Sequence, residues 1–181
     1  MQGQGGSAPW MILDAIREIM KVKHLENDVT NIPDDVDVLM LVHPKELSEG
    51  TLYAIDQFVL RGGRALVFVD PLSEAERTPP NPRNPMGMQG PRNSDLEKIF
   101  EAWGVELVKG KVVGDLPLAK KVNFKKESRT FIADYPIWID LPSGQLHPND
   151  VVTARLPSLA MASAGILQKK EGSEIEFITL V

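Results

Sequence analysis

Val36-Asp37-Val38-Leu39-Met40-Leu41-Val42, Leu47 to Gly63, and Ala65-Leu66-Val67-Phe68-Val69-Asp70 follow one another with only short joints between them. The outer two are apolar runs, and the middle one places Leu52, Ile55, Phe58 and Val59 at helical spacing. That order predicts strand, helix and parallel strand, the strands covered on both sides. Ser48 is placed to cap the helix at its start, and Gly62-Gly63 supplies a left-handed end. The crossover is expected to be right-handed. Ligands of open α/β sheets sit beyond the carboxyl ends of the strands. Here those ends carry His43-Pro44 and Asp70-Pro71.

Toward the N-terminus, Met1 to Ala8 is Gly-, Gln- and Ser-rich and reads as a flexible segment over residues 1–9. Pro9-Trp10 opens a helix whose apolar positions are Ile12, Leu13, Ile16, Ile19 and Met20. A short strand is expected around Val22 to Leu25, and Asn31 to Asp35 forms a turn. Toward the C-terminus, Pro71, Pro79, Pro80, Pro82, Pro85 and Pro91 deny the chain both sheet ladders and helix interior. Residues 73–93 are therefore expected to be a mobile Pro-rich loop. Ser94-Asp95-Leu96-Glu97 has the form of a capping box, and the helix it starts is expected to end at Gly104. Val105 to Val108, Lys111 to Asp115, Thr130 to Asp134, Ile137 to Leu141 and Ile175 to Val181 read as extended segments. Residues 10–181 form one expected α/β domain.

Composition narrows the chemistry. The chain has 181 residues, 43% hydrophobic and 25% charged, as a globular domain of this size requires. Net charge is -5 and no basic block is long enough to follow a phosphate backbone, which argues against nucleic acid. Absence of cysteine removes disulfides, thiolate metal sites and a thiol nucleophile. His24, His43 and His147 lack metal-ligand spacing. The acidic run from Asp34 to Asp37 has Met40 where a calcium loop begun at Asp35 needs glycine. Neither a metal nor a cofactor is expected.

Met161-Ala162-Ser163-Ala164-Gly165 approaches the G-x-S-x-G elbow of hydrolases, but Met161 replaces the first glycine, so Ser163 reads as a small packing residue. His43 and Asp70 remain the candidate ligand-binding residues, set at adjacent strand ends about 4.8 Å apart if the strands pair directly. Each also has a structural reading: His43 bonded to the loop at Pro44, Asp70 closing a turn into the Pro-rich segment.

Three stretches carry a resemblance. They are Asp35 to Lys45 with Leu47-Ser48; Ala54 to Arg64 running into Val67 to Pro71; and Trp138 to Leu141 with Leu156 to Leu159 and Ala162 to Gly165. Together they resemble the soluble domain of the auxiliary component of ABC-type transport systems associated with gliding motility, over about Trp10 to the C-terminus. The resemblance implies a flavodoxin-like fold akin to class I glutamine amidotransferases, a three-layer sandwich around a mostly parallel sheet. It implies a non-catalytic recognition or scaffolding role beside a permease and an ATPase. It also implies a larger membrane-anchored protein whose anchors lie outside this sequence, with this domain on the extracytoplasmic, periplasmic side of the cell membrane. Amidotransferase chemistry itself is ruled out by the missing cysteine. The alternative is a small-molecule or glycan-binding domain, a degenerate hydrolase being one form, using the strand-end crevice.

Overall fold

The computed structural model describes residues 11–76, 91–126 and 129–181. It begins with helix α1 (Met11–Ile19), followed by strand β1 (Val38–Val42), helix α2 (Glu49–Leu60) and strand β2 (Arg64–Phe68). β1 and β2 pair in parallel, Val38 opposite Arg64 and Val42 opposite Phe68, so the expected strand–helix–strand unit is present. Alternation along the strands turns Leu39, Leu41 and Val67 toward α2, whose Ala54, Ile55 and Phe58 are buried against them. Ser48 adopts extended backbone and its Oγ accepts from the Thr51 amide at 3.1 Å. The other end closes as expected: Gly62 lies at φ +94°, and the Gly63 amide donates to the Phe58 carbonyl at 2.9 Å.

Replacing Ser48 with alanine removes one acceptor from the open first turn of α2 and should cost about 1 kcal/mol. The urea midpoint should fall with an unchanged slope. An unchanged midpoint would show that the turn is held without the hydroxyl.

Helix α3 (Glu97–Trp103) adds Ile99 and Phe100 to the same core, together with Leu96 and Ile32. It ends at Gly104, φ +75°, as the sequence predicts. Its start differs from expectation, because Ser94 does not cap it: the Ser94 Oγ accepts instead from the Asp70 amide at 2.9 Å. Strand β3 (Val105–Leu107) follows and pairs antiparallel with β7 (Leu167–Lys169). Between them lie β4 (Ala119–Lys126), β5 (Arg129–Pro142), a 3-10 turn (Ser143–Gln145) and β6 (Ser158–Ala162). The order β4-β5-β6 is antiparallel throughout and rests on a second core of Ile139, Leu141 and Leu146.

This architecture overturns the expectation of a flavodoxin-like, mostly parallel sandwich. One two-stranded parallel pair stands beside two small antiparallel sheets. The physical reason is connection length. Lys126 pairs with Arg129 across a two-residue joint, and so short a joint permits only antiparallel pairing, whereas a parallel return needs about a dozen residues. The segments Thr130–Asp134 and Ile137–Leu141 are one continuous strand. Pro136 does not break it, because the β4–β5 register jumps from Lys120–Tyr135 to Ala119–Ile139, leaving the proline where no ladder bond is required.

Three further expectations fail. Val22 to Leu25 and Lys111 to Asp115 form no strand, and neither does Ile175 to Val181. Leu25 packs against the first core without a strand partner. The C-terminal segment is fastened through the His147 amide, which donates to the Leu180 carbonyl at 2.9 Å.

Candidate functional site at the strand ends

The register that sets Val42 beside Phe68 also brings the residues after each strand together. His43 Nδ1 lies 2.8 Å from Asp70 Oδ2, so the two candidate residues meet. The other ring nitrogen, Nε2, lies 3.2 Å from Glu76 Oε2. Lys45 Nζ donates to both oxygens of Glu76 at 2.6 Å and to the Pro91 carbonyl at 2.8 Å. Its hydrogen bond is the main reason the Glu76 carboxyl is held below the usual carboxylate range, with His43 contributing.

The segment from Asp70 to Glu76 makes a second set of contacts through Glu74, which reaches across to the antiparallel sheet. Tyr135 Oη donates to Glu74 Oε1 at 2.6 Å, and Ser163 Oγ to Oε2 at 2.8 Å. Trp138 Nε1 donates to the same Oε2. These donors, Tyr135 first, lower the Glu74 carboxyl, with Arg92 adding a favourable charge; the same bond raises the Tyr135 phenol. Tyr135 and Trp138 meet edge to face, their ring centres 5.6 Å apart.

Residues 70–76 therefore act as an acidic clasp. Asp70 and Glu76 grip the turn after β1, and Glu74 grips the β5–β6 sheet. The far side of the Pro-rich excursion is tied to the same segment: Ser73 and Arg92 bond through the Ser73 amide and Arg92 Nε at 2.7 and 2.9 Å, and the Ser94 amide donates to the Asp70 carbonyl at 2.8 Å. Of the mobile loop expected over residues 73–93, residues 77–90 lie outside the described residues.

Backbone strain concentrates here. His43, Glu46 and Ser163 take φ near +50°, a region costly for side-chain-bearing residues. Ser163 is nearly inaccessible and its hydroxyl is spent on Glu74, so it does more than the packing expected of it. Lys45, Glu74, Glu76, Tyr135 and Trp138 carry the site and no sequence motif singled them out. The one available signal was proximity: Lys45 lies two residues from His43, and Glu74 and Glu76 closely follow Asp70.

What the site can do follows from these pairings. Its charged groups are bonded to one another or to neutral donors, and no set of acidic and histidine side chains among the described residues converges to hold a metal ion. Two concavities lie away from the site, one between the end of α3 and Lys170 to Ile175, the other around Asp34, Arg61 and Arg64 at the opposite ends of β1 and β2. Fold and site together define a mixed α/β domain whose strand ends are locked by an internal ion-pair network.

The family model described as ABC-type uncharacterized transport system matches residues 1–181. The chain belongs to this family. An uncharacterized protein of Borreliella burgdorferi is similar to it, 27% identical over 172 residues that cover 91% of this chain and 30% of that protein. The chain thus spans less than a third of the length of that relative. No solved structure matches. No helix among the described residues is long and apolar enough to cross a membrane. Neither the family's description nor the relative's name mentions gliding motility.

Proposed function

We propose that this is a non-catalytic recognition or scaffolding domain on the extracytoplasmic side of the membrane, presenting its strand-end face to the permease of an ABC-type transport system. The observation that carries the reading is the clasp. His43, Lys45, Asp70, Glu74 and Glu76 are engaged with one another or with Tyr135, Trp138 and Ser163. An enzyme would keep a nucleophile or base aimed at a substrate cavity. A frame held this way suits a surface that must keep its shape while loops beside it meet a partner. Ligand binding by His43 and Asp70 is the lesser reading, since the two are already bonded to each other and His43 also meets Glu76.

Both ends of the Pro-rich excursion meet Lys45, at Glu76 and at Pro91, so a short Gly-Ser bridge can replace residues 77–90 without disturbing the clasp. The bridged variant should fold normally, yet recover at least tenfold less permease when the full-length protein is purified from membranes. Undiminished recovery would overturn the reading. So would turnover of an ester, amide or glycoside that disappears in a folded Asp70→Ala or Ser163→Ala variant.

A further inference from the structure

Parallel strands are ordinarily covered on both faces, and among the described residues β1–β2 is covered on one. Val38, Val42, Leu66 and Phe68 turn away from α2 and are between 38% and 48% exposed. The same chain holds a helix with the opposite defect. α1 buries no residue, although Ile12, Ala15, Ile16, Ile19 and Met20 share one side and Asp14, Arg17 and Glu18 the other. Ile12, Ile19 and Met20 are more than half exposed.

We propose that α1 is a strap that closes over the outer face of β1–β2, setting its isoleucine side on Val38, Val42, Leu66 and Phe68. Dimensions agree: nine helical residues run about 14 Å, and five strand residues about 16 Å. The tether agrees as well. Leu25 is anchored in the first core, and residues 20–24 between it and α1 extend to at most about 18 Å. Charge agrees too, because closure leaves Asp14, Arg17 and Glu18 in water. The occupant is this chain's own helix, since the apolar side of α1 needs a surface as much as the sheet needs a cover. Closure removes the face from the surfaces open to a partner, leaving the strand-end face for docking.

The absence of cysteine makes the test direct. Ile16→Cys is combined with Leu66→Cys in the full chain, treated with a short bis-maleimide, and resolved by mass under denaturing conditions. Cross-linking within one chain should be at least tenfold faster than in an Arg17→Cys, Leu66→Cys control, whose first thiol lies on the charged side. Equal rates would overturn the proposal. Links only between copies would also overturn it and assign the face to a second molecule. Amide exchange gives an independent reading: α1 should be protected at least tenfold over a free peptide, and Phe68→Glu should abolish that protection while exchange in α2 is unchanged. Free-peptide exchange of α1 in the unmodified protein would refute closure.

Discussion

Phe58→Ala should lower the unfolding free energy by about 3–5 kcal/mol, the range for truncating a fully buried aromatic side chain. Phe58 is 1% exposed, touches the core shared by β1, α2 and α3, and carries the Arg61 guanidinium 5.4 Å from its ring centre. The cavity left behind cannot collapse easily. Gly63 already lies so close to the ring and to the Phe58 carbonyl that a methyl group there would sit 2.5–2.6 Å from both. For a chain of this length the melting temperature should fall by roughly 6–20 °C. A fall under about 3 °C would mean that this core contributes little to the stability of the fold.

Glu74→Ala should be the second most damaging change, at about 2–3 kcal/mol. It removes one acceptor from three donors, and the three differ in what remains to them. Trp138 is exposed enough to find water, Tyr135 is half-buried, and Ser163 is sealed in a strained turn. The hydroxyl of Ser163 therefore accounts for much of the loss. Glu74→Gln keeps the shape and should cost less. Acid should act in the same direction. The folded-state carboxyl of Glu74 is held below its ordinary value, chiefly by Tyr135, so its contribution is complete above the unfolded-state titration and disappears as pH falls through the folded one. Stability of the natural chain should therefore fall more steeply below about pH 4 than that of Glu74→Gln. Parallel acid profiles of the two would remove Glu74 from the account.

The first half of the fold was legible because its signals are local. Period, cap and glycine stop all lie within residues 36 to 70, and parallel register then delivers His43 to Asp70. The clasp was illegible because its partners are distant in sequence: Tyr135 and Ser163 lie 61 and 89 residues from Glu74. No periodicity announces a single carboxylate shared by three side chains. The antiparallel sheet was misread for a related reason. Pro136 suggests an interruption between two short segments, and only the register shift opposite it shows why a continuous strand tolerates it. Ser94 makes the same point in miniature, since its sequence context promises a helix cap while its hydroxyl goes to the Asp70 amide.

The neck formed by Ser73 with Arg92, Asp70 with Ser94, and Lys45 with both Glu76 and Pro91 has a consequence for how this protein can vary. Once the two ends of a loop are fixed by their own bonds, doubling its length adds only about 0.6 kcal/mol of closure entropy. The span from 77 to 90 is thus a tolerant insertion point, where an epitope or a small folded reporter can be grafted with little effect on the melting temperature. The same graft placed two residues earlier would part Glu74 from Glu76 and open the clasp.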